Sequence, residues 1–278
     1  MIPGSRNLIL AAAATAALLT PTAAGAIVAG TVDGTTHPNV AMISFVQPDG
    51  RFRCSATLIS PTVLVTAAHC TVGTIGKTIV TFAPEAPSPG PAPDVSTGYV
   101  VGLNIPAGYV TGTAHAHPLW ADKLQLNNLH DTGVVVLDRP VVGITPAALP
   151  PLNYLESLTG KGVLQRTSFT SVGYGVFFQK SVTGPQKPDL VSDRIRRNTT
   201  SVGQNLTSQV LMLSENSNDS RAGGGTCFGD SGGPTFQGGY VVADTSFGGS
   251  QFCRGSGGSY RLDTADARSF LANYVTLP

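Results

Sequence analysis

The stretch Gly224-Gly225-Thr226-Cys227-Phe228-Gly229-Asp230-Ser231-Gly232-Gly233-Pro234 sets one serine in a turn with glycine on both sides. A serine hydroxyl is a weak nucleophile at neutral pH and attacks a carbonyl only when its surroundings activate it. Flanking glycines leave Oγ open to a substrate. They also allow the N–H groups of Gly229 and Ser231 to converge on one point, where a tetrahedral oxyanion can be held. Asp230 can anchor the loop if it meets a cation. By itself such a segment reads first as a glycine-rich turn with an exposed serine. Two further stretches change that reading. Leu64-Val65-Thr66-Ala67-Ala68-His69-Cys70 ends an apolar run on a histidine, and Asn127-Asn128-Leu129-His130-Asp131-Thr132-Gly133 places an aspartate just before the apolar run Val134 to Leu137. A carboxylate bonded to the far nitrogen of His69 would fix its tautomer and stabilise its cationic form. His130 competes as a base by type and reads as a rim residue. Asp122 and Asp138 compete as the carboxylate, and Asp138, before Arg139-Pro140, reads as a turn residue.

The order His69, Asp131, Ser231 along the chain is that of the chymotrypsin arrangement and differs from subtilisin and the α/β-hydrolases. With these motifs the chain resembles the chymotrypsin-family (trypsin-like) serine proteases over nearly all of residues 27–278. The resemblance implies an all-β fold of two packed six-stranded antiparallel Greek-key barrels with the active site in the cleft between them. It implies a catalytic triad of His69, Asp131 and Ser231 with an oxyanion hole of Gly229 and Ser231 N–H, and no cofactor or metal. Ile27-Val28-Ala29-Gly30 resembles the Ile-Val-Gly-Gly start of mature family members. A freed Ile27 α-amino group is then expected to pair with Asp230. Cys54-Ser55-Ala56-Thr57-Leu58-Ile59 resembles the family's Cys-Gly-Gly-Ser-Leu-Ile run with both glycines replaced. Phe169-Thr170-Ser171-Val172-Gly173-Tyr174-Gly175 resembles its Val-Ser-Gly-Trp-Gly strand. Four cysteines admit three pairings, and the resemblance implies Cys54–Cys70 and Cys227–Cys253. Zinc is the rival use of these cysteines, but the spacings lack a Cys-x-x-Cys or His-x-x-x-His pair.

The resemblance also places the substrate pocket. Its floor falls at Gly225, and Ser246-Phe247-Gly248 and Gly258 line the opposite side. Glycine at Gly225 and Gly258 implies space and no buried carboxylate, hence an apolar rather than a basic side chain before the scissile bond, because a buried cation would lack its partner.

The first 26 residues read as a secretory signal peptide. Arg6 is the early positive charge, Leu8 to Leu19 is an apolar run, and Ala24-Gly25-Ala26 supplies small residues at the cleavage positions. Cleavage after Ala26 would expose Ile27 directly, so removal of the signal would itself activate a secreted enzyme occupying residues 27–278; cleavage a few residues earlier would instead leave a short propeptide. Across the chain, 33 Gly and 20 Pro, few charges and short Val/Thr/Ile/Phe runs favour strands joined by tight turns. Val40 to Val46 and Phe52 to Ile59 read as strands around a Gln47-Pro48-Asp49-Gly50 turn, and Ala83 to Pro93 as an extended surface loop. Lys and Arg total 17 against 16 Asp and Glu. With Arg6 removed the charges balance, which argues against nucleic acid or an anionic membrane as partner. The expected partners are polypeptide substrates and protein inhibitors, and the expected state is a monomer. His115 and His117 read as solvent-exposed loop residues before metal ligands, and Arg194 to Arg197 as a solvated strand edge before a basic exosite. Asn198, Asn205 and Asn218 begin glycosylation triplets. Two other functions fit the same residues: a protease-like fold kept as a binding module, and an esterase with the same triad.

Overall fold

The computed structural model describes residues 27, 30–179, 189–216, 219–221 and 223–278, so the expected signal segment and Asn218 lie outside the described residues. Runs of β-branched residues bounded by Gly and Pro turns suit a pleated sheet better than a helix, and strands dominate the fold. The first half carries β1 (Thr31–Val32), β2 (Val40–Gln47), β3 (Gly50–Ser60), β4 (Val63–Thr66), β5 (Ile75–Thr81), β6 (Val110–Ala116) and β7 (Gly133–Leu137). Six of these close an antiparallel barrel in the order β2-β3-β4-β7-β6-β5. The second half carries β8 (Ser168–Gly173), a ribbon of β9 (Phe177–Gln179) and β10 (Asp189–Val191), then β11 (Arg197–Leu206), β12 (Val210–Ser214), β13 (Pro234–Gln237), β14 (Tyr240–Gly248) and β15 (Ser256–Arg261). Here β8-β11-β12-β15-β14-β13 close a second barrel, β13 returning to β8, with β1 added at the edge of β11. Both barrels therefore use one Greek-key order, as the resemblance implied.

Alternation along the strands decides what each barrel encloses. On β2, Ala41, Ile43 and Phe45 point inward to Leu58, Leu64, Val80 and Val135. The intervening Val40, Met42 and Val46 are buried too, because Tyr99, Val172 and Tyr174 cover the outer face. Leu155, Leu164, Phe169, Leu211, Leu213 and Val242 fill the second barrel. The barrels are joined by Val63, Val65 and Val134 of the first against Val241 and Leu262 of the second. The helix α1 (Ala265–Leu271) completes this seam with Phe270 and Leu271. Its Thr264 cap accepts from Ala267 N at 3.2 Å, satisfying one of the free N–H groups of the first turn.

The Arg194–Arg197 stretch is neither exosite nor solvated edge. Arg196 is fully buried, and its guanidinium donates to Asp33 at 2.9 Å and to the carbonyls of Gly34, Val40 and Phe82. Arg197 is buried as well and holds Asp193 at 2.8 and 2.6 Å. Guanidinium tolerates burial where planar donors meet this many acceptors. Among the described residues no helix is long and apolar enough to cross a membrane.

Candidate active site

The first barrel supplies a histidine and a carboxylate. Strand β4 ends in a single 3-10 turn, Ala68–Cys70, that carries His69. Its antiparallel neighbour β7 begins two residues after Asp131, and the pairing Thr66↔Gly133 brings the two ends together. His69 Nδ1 lies 2.9 Å from Asp131 Oδ2 and 3.2 Å from Oδ1, and His69 N donates to Oδ1 at 3.0 Å. Ser246 Oγ of β14 donates to Asp131 Oδ2 at 2.5 Å. An ionised carboxylate only accepts, so Nδ1 carries the proton and Nε2 is left as an acceptor. Burial opposes charge on both partners. It pushes the Asp131 carboxyl up and the imidazole down, but their mutual attraction and these bonds win, holding Asp131 below and His69 above its ordinary value. Gly133 is required beside this pair, since a Cβ there would overlap Thr71 Oγ1 and come 3.1 Å from Ala67 O. The disulfide Cys54–Cys70 ties β3 to the His69 turn.

The second barrel supplies the serine loop immediately before β13. Gly229 has φ +95°, a conformation that favours glycine. Among the described residues neither Gly229 N nor Ser231 N donates to a protein acceptor, while their neighbours Asp230 N, Gly232 N and Gly233 N all do. Ser55 N donates to Ser231 O at 2.8 Å and Ser55 Oγ to Gly229 O at 3.0 Å, so the first barrel clamps the loop. Serine replaces the family's glycine here and gains a structural bond. No hydrogen bond joins Ser231 Oγ to His69 among the described residues. Such contacts are commonly loose without substrate.

Asp230 is fully buried beneath the loop, where Oδ1 accepts from Gly175 N at 2.7 Å and Oδ2 from Cys227 N at 2.9 Å. The carboxyl occupies the space that side chains at Gly173 and Gly175 would need, which explains the Gly-Tyr-Gly pattern in that stretch. Burial raises its pKa to about 7 against the pull of these two bonds, with negative Glu215 adding and Arg53 subtracting. No cation bonds to it among the described residues. Ile27 is described and fully buried.

Beside Ser231 opens a cavity of about 370 Å³ lined by Thr226, Cys227, Phe228, Ser246, Phe247, Gly248 and Cys253. The disulfide Cys227–Cys253 closes one wall. Gly258 pairs with Phe247 of the cavity wall, whose ring a Cβ at Gly258 would overlap, and Gly257 pairs with Gly248 of the same wall. One sequence expectation fails here, because a carboxylate is buried behind the lining. Glu215, at the end of β12, is buried against Gly225 and Gly257, and Thr226 N donates to its Oε1 at 3.0 Å. The premise of an apolar preference is thereby removed. The sequence signal was present, as an acid following the apolar run Val210–Ser214, but nothing local tied it to the pocket.

A second buried acid lies behind the triad. Asp244 is two residues before Ser246 on β14 and fully buried, and among the described residues neither oxygen has a partner at hydrogen-bonding geometry; the Thr132 hydroxyl gives only weak support. Burial pushes its pKa well above the usual range, and the Asp131 charge pushes further. A folded-state pKa above the unfolded one means that stability falls as pH rises past about 4, where the unfolded carboxyl ionises. Asp244→Asn is therefore expected to stabilise the protein by about 1–3 kcal/mol at pH 8 and to lose that advantage near pH 4. Thermal unfolding at the two pH values measures it, and an equal effect at both would contradict it.

Two of the three alternative candidates, His130 and Asp138, are occupied elsewhere. His130 has φ +50°, and its ring bonds Asp266 at 2.7 Å and Asn128 at 2.8 Å. Asp138 bonds Lys77 and Thr111, each at 2.6 Å. Asp122 borders the cleft beside His69. His117 is buried, stacked on His130 at 5.0 Å, with His115 against Tyr274. His117, His130 and Asp266 converge closely enough to hold an ion, but His117 Nδ1 already accepts from Leu119 N and His130 Nδ1 already meets Asp266. Asn198 bonds Asp33 at 2.8 Å, while Asn205 is exposed on β11.

Comparison with known proteins agrees with this geometry. The trypsin family model matches residues 30–262. A trypsin of Saccharopolyspora erythraea is 26% identical over 227 residues, covering 80% of this chain and 86% of that protein. Among solved structures, HL collagenase superposes with a TM-score of 0.60 at 17% identity over 90% of this chain and 96% of that one. The scabies mite inactivated protease paralogue S-I1 superposes with a TM-score of 0.57 at 16% identity, over 88% of this chain and 98% of that one.

Proposed function

Because the chain belongs to the trypsin family of serine endopeptidases, we propose that it hydrolyses polypeptides through Ser231, His69 and Asp131 by way of an acyl-enzyme. Ser231 Oγ attacks the peptide carbonyl carbon while His69 Nε2 takes its proton. The carbonyl oxygen becomes an oxyanion between Gly229 N–H and Ser231 N–H. His69 then gives its proton to the leaving amine, the C–N bond breaks, and a water repeats the sequence against the ester. Asp131 holds His69 in the required tautomer throughout. The observation that carries the reading is the bonded line Ser246–Asp131–His69 beside a serine loop with two undirected N–H groups.

The protein is read as secreted after removal of residues 1–26. The freed Ile27 amino group would supply the cation that Asp230 lacks, so that processing completes the oxyanion loop. The disulfides Cys54–Cys70 and Cys227–Cys253 agree with an oxidising compartment.

An organic fluorophosphonate tests the site, because it phosphonylates only a serine activated by a base and an oxyanion hole. Mass spectrometry of the secreted protein is expected to find one adduct, on Ser231, in a chain beginning at Ile27. A different first residue would refute activation by signal removal alone. One rival is a binding module on the same fold, a fold also carried by a scabies mite protease paralogue described as inactivated. Absence of an adduct on folded, processed protein would establish that rival.

A further inference from the structure

Glu215 has no role in the chemistry above, yet the pocket is built around it. It is 2% exposed. Oε1 accepts from Thr226 N and from the Thr226 hydroxyl, while Oε2 is buried with no hydrogen-bond partner among the described residues. A Cβ on Gly225 would overlap Glu215 Cβ and approach Cγ at 2.8 Å; a Cβ on Gly257 would overlap Oε1 and approach Oε2 at 2.7 Å. Both glycines are thus the space the carboxyl needs. Gly257 lies opposite Gly248 of the cavity wall, and Thr226 lines the same cavity. The carboxyl therefore lies directly behind the lining, bonded to Thr226 and packed against the glycine that pairs with Gly248.

An unpaired buried carboxyl is costly. No guanidinium or ammonium bonds to Glu215 among the described residues, and its other carboxyl neighbour is Asp230, which repels it. Burial pushes the Glu215 carboxyl above its ordinary value, against the two bonds from Thr226. A cation brought down the cavity would reverse that shift and pair the free oxygen. The walls suit the rest of such a side chain: Phe247, Phe228 and the Cys227–Cys253 bridge offer apolar surface to a methylene stem.

We propose that Glu215 is the specificity-determining residue of the primary pocket, and that the side chain before the scissile bond is cationic, lysine or arginine. The acid comes from the end of β12 and not from the floor position, which is Gly225. The assignment rests on the protease reading above and names the substrate class of that site.

Processed wild type and Glu215→Gln are compared on peptide amides differing only in the residue before the scissile bond. Wild type is expected to favour Arg and Lys over Gln and Leu by about 100-fold or more in kcat/KM, since a buried polar group left unpaired discriminates strongly. In Glu215→Gln that ratio is expected to fall to within about tenfold. Thermal shift with benzamidine, against uncharged benzamide, reads the pocket without turnover: a shift with the amidine alone is expected for wild type and is lost in the variant. A wild-type preference for Leu or Phe, or equal shifts with amidine and amide, would overturn the proposal even if Glu215→Gln does not fold. Ser231 labelling separates the two readings. An amidine shift without labelling refutes the protease mechanism and keeps the cation pocket, whereas labelling without cation selectivity refutes the cation pocket alone.

Discussion

Asp131→Asn is expected to lower kcat by about 10⁴-fold with the fold intact, the magnitude carried over from the same triad in this family. Asp131 accepts at once from His69 Nδ1, His69 N and Ser246 Oγ. An asparagine offers one acceptor oxygen and one NH₂ group. To keep the His69 N bond its oxygen stays at the Oδ1 position, so its NH₂ takes the Oδ2 position, where Ser246 Oγ must turn to accept and Nδ1 must give up its proton. The proton moves to Nε2, and the nitrogen facing Ser231 can no longer accept one. A second readout distinguishes this from damage to the site. His69 is held above its ordinary pKa by the Asp131 charge, although burial acts against it. Activity needs neutral His69, so it rises with pH through that value. In Asp131→Asn the raising influence is gone and burial remains, so the residual acid limb of kcat/KM is expected to move to lower pH. A limb that stays in place would show that Asp131 does not govern the histidine.

The second large effect depends on processing. In the unprocessed chain Asp230 is a buried acid with a pKa raised to about 7, bonded only to two backbone N–H groups. Its unfolded value is near about 4. Ionisation therefore costs stability as pH rises from that value through about 7. If the freed Ile27 amino group pairs with it, the sign reverses, and removing either partner strands a buried charge at a cost of about 3–5 kcal/mol. Asp230→Asn is accordingly expected to leave the precursor unharmed or stabilised at pH 8. The processed enzyme is expected to lose stability by that amount and kcat/KM by about 10²–10³-fold. The loss of activity follows because Asp230 anchors the turn that aims Gly229 N and Ser231 N. Equal effects before and after processing, measured by unfolding and peptide hydrolysis, would remove Ile27 from the mechanism.

The strand-rich character was legible because Val, Thr and Ile runs between glycine and proline turns carry it locally, whereas the two barrels were implied by the family resemblance alone. The strands Val40–Gln47 and Gly50–Ser60 lie within two residues of where the pattern places them. The candidate triad was legible as residue types in a fixed order, since His69 and Asp131 each adjoin an apolar run and Ser231 stands between glycines. The chemistry of Asp230 was legible only in part: its neighbour Ser231 drew attention to it, but the glycines at 173 and 175 that make its burial possible lie more than fifty residues earlier.

What the tertiary structure alone decided concerns faces and partners. Gly257 makes room for the Glu215 carboxyl and Gly258 for the Phe247 ring, because the pairing between β14 and β15 sets which face each residue takes. Arg196 is buried because Asp33 and the Gly34, Val40 and Phe82 carbonyls converge on it from distant segments. Glu215 and Asp244 are acids that composition would place at the surface. They are interior because closing the barrel carries their strands inward, and no local pattern records that. Periodicity reports the conformation of one strand; the partner of a buried charge is fixed only when strands far apart in sequence are brought into register.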